Sequence, residues 1–212
     1  MRMRKRIVIP KGLYGITGEK FANGKSNYQC VKEMIDGGIK IVQYREKDKT
    51  MREMIKEAIE ISNLCKEKEV LFIVNDHIDL AILTDADGVH VGQDDMAPKD
   101  IRKLIGDNKI IGLSTHSIEQ AQSAYKDINV DYIGVGPIFP TTTKDAKPVG
   151  LEYLDYVSGN LDIPFVAIGG IKTSNIDKII SRNAHSICMV SEVVKNNNIC
   201  EFVKKYQELL NK

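Results

Sequence analysis

Eight short β-branched segments recur along this chain, at residues 13–17, 39–46, 70–76, 88–92, 110–115, 131–136, 165–170 and 186–191. Helical patterns separate them, and strands alternating with helices of this length imply parallel βαβ units. Polar residues gather just after nearly every segment. The ends carry Gln43-Tyr44-Arg45-Glu46-Lys47, Asn75-Asp76, Gln93-Asp94-Asp95, Ser114-Thr115-His116, Thr141-Thr142-Thr143-Lys144, Gly169-Gly170 and Val190-Ser191. Periodicity alone leaves two closures open, a (βα)8 TIM barrel and an open doubly wound α/β sheet. The count of eight favours the barrel, as does the lack of a Gly-x-Gly-x-x-Gly turn after the first segment. In such a barrel the active site sits at the C-terminal ends of the strands. One pattern thus predicts an enzyme and the place of its chemistry.

The clearest helix spans residues 50–67. Thr50 and Glu53 form a Thr-x-x-Glu capping box. Met51, Met54, Ile55, Ala58, Ile61 and Cys65 recur at three- and four-residue spacing as one apolar face. Arg52, Glu53, Lys56, Glu57 and Glu60 leave the other side charged. Ser117 and Gln120 open a second helix containing Ala121, Ala124 and Tyr125. Thr173 or Ser174 is expected to cap a third that runs to Ser181, and Ile199–Leu210 closes the chain. No Ser/Gly-rich linker, low-complexity stretch or composition shift divides the sequence, so residues 1–212 are expected to form a single barrel domain. Residues 1–12 match no motif and read as an extra strand or a basic tail.

At 42% hydrophobic and 28% charged, the chain can bury one substantial core. Its net charge of +1 offers no argument for nucleic acid, a membrane surface or a bulk polyanion. Cys30, Cys65, Cys188 and Cys200 show neither Cys-x-x-Cys spacing nor a metal-ligand pattern with histidine. The first two fall on apolar helix positions and the third within a strand, which suits reduced, buried thiols in the cytosol. Residues 1–6 are basic, but Ile7-Val8-Ile9 before Pro10 is too short for a signal-peptide core. No apolar run approaches the ~20 residues that span a bilayer. A cytoplasmic protein is expected, with small-molecule substrates as partners, no nucleic acid and no membrane, and with a homo-oligomer left open.

Gln43, Arg45 and Lys47 stand at i, i+2 and i+4, one face of a strand, and Ile39 and Ile41 continue that face toward its start. A guanidinium, an ammonium and an amide directed into a barrel mouth suit a phosphate ester or pyrophosphate. The bland alternative is a strand running into a solvated charged loop. Asp76 ends the third segment and Asp94-Asp95 follows the fourth. Neighbouring strands lie ~4.8 Å apart, so these carboxylates can reach one hard cation. Mg²⁺ favours one or two protein carboxylates, completed by substrate phosphate and water. Capping of the next helix by Asp79 or Asp95 is the competing reading. Asn75 adds a donor without charge.

Thr141, Thr142, Thr143 and Lys144 occupy a loop that can surround phosphate oxygens and close over them, unless it is merely a polar surface loop. Gly169-Gly170 and Val190-Ser191 end the seventh and eighth segments, where barrels frequently bind phosphate through backbone N–H groups and a helix N-terminus. A tight strand-to-helix turn would use the same glycines. His90 reads as a satisfied residue of the barrel, His116 as pocket-lining, and His77 and His185 as loop positions. The sequence holds no Ser/His/Asp set and no zinc spacing.

Together these motifs resemble those of the thiamine phosphate synthase family. The matching stretches are Gln43-Tyr44-Arg45-Glu46-Lys47, Val74-Asn75-Asp76, Asp87-Gly88-Val89-His90-Val91-Gly92-Gln93-Asp94-Asp95, Gly112-Leu113-Ser114-Thr115, Gly134-Val135-Gly136-Pro137-Ile138-Phe139-Pro140-Thr141-Thr142-Thr143-Lys144, Ala167-Ile168-Gly169-Gly170-Ile171 and Val190-Ser191. They cover nearly the whole chain from Leu13 onward. Seven motifs in the family's order are far more specific than any one of them.

The resemblance implies a Mg²⁺-dependent transferase of thiamine biosynthesis. It would couple hydroxymethylpyrimidine pyrophosphate with a thiazole phosphate, or its carboxylated form, giving thiamine phosphate and pyrophosphate. Position by position, Gln43, Arg45, Lys47 and Asn75 would hold the pyrimidine pyrophosphate, Asp76 and Asp95 would bind Mg²⁺, and Ser114 would contact the pyrimidine. Lys144 would meet the pyrophosphate, while Thr141, Thr143, Gly170, Val190 and Ser191 would hold the thiazole phosphate. Tyr44, Glu46 and Thr142, from the same motifs, are counted among the substrate contacts. Arg45, Lys47 and Lys144 would be the catalytic cations, since pyrophosphate leaves well once its charge is neutralised. The electron-rich aminopyrimidine then supports a benzyl-like cation that the thiazole nitrogen attacks, and no strong general base is needed. The related thiazole tautomerase, an isomerase on the same kind of barrel, would need no pyrophosphate site with Mg²⁺. An inactive phosphate-binding barrel could dispense with the metal aspartates. Asp76, Asp95, Lys47 and Lys144 favour the synthase.

Overall fold

Strands of four to six residues account for most of the sheet in the computed structural model, which describes residues 6–143 and 146–210. In chain order they are β1 (Gly12–Leu13), β2 (Gly15–Ile16), β3 (Ile41–Tyr44), β4 (Leu71–Asn75), β5 (Gly88–Val91), β6 (Ile110–Thr115), β7 (Tyr132–Val135), β8 (Phe165–Ile168) and β9 (Ser186–Cys188). They form one parallel sheet in the order β1-β9-β8-β7-β6-β5-β4-β3-β2. β1 and β2 are two ends of one extended stretch, parted only by Tyr14. Gly12 pairs with Ser186 of β9 and Gly15 with Val42 of β3. Tyr14 N–H donates to Ile187 O at 2.9 Å, and Thr17 N–H to Gln43 O at 3.0 Å. A single stretch therefore bonds both edges and closes the ring. The eight expected segments make a barrel, and the open sheet is excluded.

Alternation along the strands divides two apolar layers. Tyr14, Ile16, Ile41, Ile73, Ile110, Tyr132, Val166 and Cys188 fill the barrel interior. Val42, Tyr44, Phe72, Val74, Val89, Ile111 and Ile133 face the helices. Ile39, expected on the inner face with Ile41, belongs to the outer layer. It precedes the strand, where the alternation does not yet apply. Ile7 and Ile9 pack into the interior cluster from the N-terminal end, and Ile7 N–H donates to Asp131 Oδ1 at 3.0 Å. Of the described part of residues 1–12, Gly12 opens β1, and the stretch before it is a plug rather than a strand or a free tail.

The helices are α1 (Asn27–Asp36), α2 (Met51–Glu67), α3 (Ile78–Leu83), α4 (Pro98–Ile105), α5 (Ile118–Lys126), α6 (Gly150–Asn160), α7 (Asp177–Ile180), α8 (Val190–Val194) and α9 (Ile199–Leu210). Thr50 and Glu53 make both bonds of the capping box on α2. Met54, Ala58, Ile61 and Cys65 are its buried stripe. Ser117 accepts from Gln120 N–H at the start of α5. The helix expected from Thr173 or Ser174 is cut to Asp177–Ile180, with turns at 173–176. Asn175 is the cause: its Oδ1 accepts from Lys172 N–H at 2.8 Å and its Nδ2 donates to Gly170 O at 3.0 Å, local bonds that compete with a helix. All four cysteines are free thiols, and Cys30, Cys65 and Cys188 are buried. Among the described residues no helix is long and apolar enough to cross a membrane.

Candidate active site

The C-terminal ends of the strands surround a cavity of about 520 Å³. Gln43, Arg45 and Lys47 reach it from the end of β3, as one face of a strand requires. Thr17 locks this turn to the closing stretch. Its Oγ1 accepts from Arg45 N–H at 2.7 Å and donates to Arg45 O at 3.0 Å.

Asn75 and Asp76 enter from β4. Asp76 has φ +59°, a left-handed conformation that side chains rarely adopt and that tends to be kept where it serves a site. Lys47 Nζ lies 2.5 Å from Asp76 Oδ2. From the turn after β5, Asp95 Oδ2 accepts from Gly92 N–H at 2.7 Å. Neither aspartate stands at an N-cap, because the residues before α3 and α4 are His77 and Ala97, although Asp79, within the first turn of α3, accepts from Leu80 N–H at 2.9 Å. Two carboxylates that follow the ends of neighbouring strands, one already drawing an ammonium, are the hard oxygen donors that Mg²⁺ prefers. A second acidic group lies outside the cavity. Glu19, Glu46 and Glu57 bring carboxylate oxygens within 4.8 Å of one another, close enough to hold a metal ion. Lys49 Nζ reaches into this group, 2.5 Å from Glu19 and 2.8 Å from Glu57.

The cavity floor is a chain of polar groups across the barrel. Gln43 Nε2 donates to the Tyr14 hydroxyl at 3.0 Å, and the Tyr14 and Tyr132 hydroxyls are 2.7 Å apart. His90 joins Tyr132 OH through Nδ1 and Ser114 Oγ through Nε2, each at 2.9 Å. Burial pushes both phenols above their ordinary pKa, so they remain protonated donors. In one complete proton order each hydroxyl passes its hydrogen toward His90, whose Nε2–H then meets Ser114 Oγ. The Ser114 hydrogen is left for a ligand.

On the far side, Gly169 and Gly170 have φ of +97° and +63°. A Cβ on Gly169 would fall 2.3 Å from Pro137 Cα, and one on Gly170 2.4 Å from Pro140 O. Only glycine lets the ends of β7 and β8 approach this closely. Phe139 N–H donates to Gly169 O at 3.0 Å, fixing the start of the threonine loop. Thr141 and Thr143 join through their hydroxyls at 2.6 Å. Gly170, Val190 and Ser191 complete the wall.

Residues 13–193 match the family described as thiamine monophosphate synthase. The chain belongs to that family. It is 50% identical over 207 residues to the thiamine-phosphate synthase of Pelotomaculum thermopropionicum, covering 97% of this chain and 94% of the relative. It is 46% identical over 200 residues to that of Caldicellulosiruptor bescii, covering 93% and 91%. The solved thiamine phosphate pyrophosphorylase of Pyrococcus furiosus superposes with a TM-score of 0.86 at 33% identity, covering 94% of this chain and 95% of that one. Family membership makes this chain an enzyme, a transferase of thiamine biosynthesis.

Among the residues assigned from the family's motifs, Gln43, Arg45, Lys47, Asn75, Asp76, Asp95, Ser114, Thr141, Thr143, Gly170, Val190 and Ser191 all line the one cavity. Three do not. Tyr44 turns outward, as the residue after an inward Gln43 must, and donates to Glu57 Oε2 at 2.8 Å. Glu46 points the same way, toward Asn27, and Thr142 is exposed outside the lining. Lys144 lies outside the described residues. His90 is a satisfied barrel residue and His116 lines the cavity; His77 precedes α3 and His185 lies in a loop, all as expected. Tyr14, Thr17 and Tyr132 were missed. Alternation carried the signal for the two tyrosines, since Tyr14 shares a face with Ile16 and Tyr132 with Gly134, but not for Thr17, which lies past the end of β2.

Proposed function

We propose that this enzyme joins hydroxymethylpyrimidine pyrophosphate to a thiazole phosphate, forming thiamine phosphate and releasing pyrophosphate. The observation that supports this most is convergence: twelve residues from seven separate strand ends, each with an assigned contact, line one cavity. Arg45, Lys47 and Lys144 bind the pyrophosphate and stabilise the charge it gains as it leaves. Asp76 and Asp95 would hold Mg²⁺, which when bound adds neutralising charge at the same place. Gln43 and Ser114 orient the aminopyrimidine, and Gly170, Val190 and Ser191 with the threonines seat the thiazole phosphate. Its nitrogen then attacks the carbon that the pyrophosphate has left. A cytosolic setting accords with four free cysteines.

The test is direct. Protein mixed with both substrates and Mg²⁺ should release pyrophosphate and thiamine phosphate in equal amounts, and EDTA or Asp76→Ala should abolish both. Arg45→Ala should lower turnover by roughly 10²–10³ while the far-UV spectrum is unchanged. A folded, Mg²⁺-supplied enzyme that forms neither product would remove the reading.

A further inference from the structure

Glu46 sits in the middle of the cationic motif yet turns its side chain away from the cavity, where only 8% of it is exposed. Its Oε1 accepts the backbone N–H groups of Lys47 at 2.7 Å and Asp48 at 3.0 Å. Its Oε2 accepts from Asn27 Nδ2 at 3.1 Å, and the same amide donates to Glu57 Oε2 at 3.0 Å. Lys49 Nζ bonds Glu57 at 2.8 Å and Glu19 at 2.5 Å and stands 4.0 Å from Glu46. One carboxylate therefore gathers the turn that carries Lys47. The groups around it tie that turn to α1, to α2 and to the short helical turn at Glu19–Phe21. Burial pushes the Glu46 carboxyl up, but the N–H groups of Asp48 and Lys47, the Asn27 amide and the Lys49 ammonium outweigh it and hold it below the ordinary carboxylate value. It stays anionic at neutral pH.

On the cavity side of the same turn stand Arg45 and Lys47. We propose that Glu46 and Lys49 are positioning residues, a latch behind β3 that presets the two cations for a pyrophosphate group. This rests on the function proposed above. The latch explains why a glutamate stands between two cations meant for an anion: it faces the opposite side of the chain and holds the backbone of Lys47 and Asp48, directly after Arg45, whose own N–H and C=O are held by Thr17. It also gives Glu46→Gln a defined consequence. An amide nitrogen in place of either oxygen sets a donor against Lys47 and Asp48 N–H or against Asn27 Nδ2, and no rotamer satisfies all three.

Steady-state kinetics on Glu46→Gln and Lys49→Gln, with calorimetric titration of Mg²⁺ and inorganic pyrophosphate, separates the possibilities. We expect KM for the pyrimidine pyrophosphate and Kd for pyrophosphate to rise about tenfold, because cations misplaced by a fraction of an ångström bind and orient less well. KM for the thiazole phosphate should stay within twofold, and Lys49→Arg should restore both constants. Should Glu46→Gln fail to fold, Lys49→Gln against Lys49→Arg decides alone. Wild-type pyrophosphate affinity in a folded Gln variant overturns the latch, as does an equal loss for both substrates. If the unmodified enzyme binds pyrophosphate but makes no thiamine phosphate, the reaction assigned above fails and the pyrophosphate titration still judges the latch. If it binds no pyrophosphate, both fall.

Discussion

Position 170 meets two separate demands, a left-handed backbone and a gap too narrow for a methyl group. Its φ is +63°, and an added Cβ would press on Pro140 O at 2.4 Å and Phe139 C at 2.8 Å, both backbone atoms that cannot swing aside. Gly170→Ala should therefore shift the β7 loop and the β8 turn apart. The strain is about 1–3 kcal/mol. Thermal melts should show the loss, and KM for the thiazole phosphate should rise more than KM for the pyrimidine pyrophosphate. An unchanged KM ratio would remove Gly170 from that subsite. Cysteine chemistry is set by burial in the same way. Burial pushes the Cys30 thiol up to about 11 and Cys65 up to about 12, and raises Cys188 as well. These three remain thiols at pH 8 and lie out of reach. Half-buried Cys200 alone should react with a thiol reagent in the native enzyme, and all four after unfolding. A second fast thiol would mean that the barrel opens.

Strand alternation explains both what could be read in advance and what could not. Gln43, Arg45 and Lys47 share a face by spacing alone, and their arrival in the cavity follows from that. The same rule sends Tyr44 and Glu46 outward, although a motif taken whole counts them as contacts. Alternation also held the signal for Tyr14 and Tyr132, but their hydroxyls meet only when the barrel closes, so pairing across 118 residues is invisible along the chain. The short α7 has a similar origin, since Asn175 spends its side chain on Lys172 and Gly170. Ends of elements are where such side chains decide. Gln207 of α9 shows it best: its Oε1 accepts from Leu13 N–H at 2.8 Å, and its Nε2 donates to Gly38 O at 2.9 Å. It supplies the bond that Leu13 lacks on its β3 side, because β3 begins too late to reach it. Gln207→Leu leaves that N–H buried and unpaired and should cost about 1–3 kcal/mol in urea denaturation. A wild-type midpoint would show that water can replace the amide.

Taken as a whole, the barrel keeps its chemistry at one end and its fastening at the other. At the N-terminal end, Arg102 of α4 donates to Gly106 O, Lys109 O and Asn129 O at 2.6–2.8 Å and to Asp131 Oδ2 at 3.0 Å. Asp131 is fully buried and also accepts from Ile111 N–H at 2.9 Å and Ile7 N–H at 3.0 Å. One ion pair thus joins the turns before β6 and β7 to the leader that plugs the barrel. Apolar replacement of a buried pair is often neutral, but here it would orphan two backbone N–H groups as well. Asp131→Ala strips the carboxylate from all of them and removes the buried ion pair that Arg102 makes at 3.0 Å. The expected loss is about 3–5 kcal/mol, a fall in Tm of roughly 6–20 °C for a chain of this size. Because the lesion is a full barrel length from Arg45 and Asp76, KM for both substrates should remain within twofold well below the new Tm. Activity measured at 15–20 °C beside a thermal melt tests the division of labour. A large rise in either KM with the fold intact would show that the two ends of the barrel are coupled.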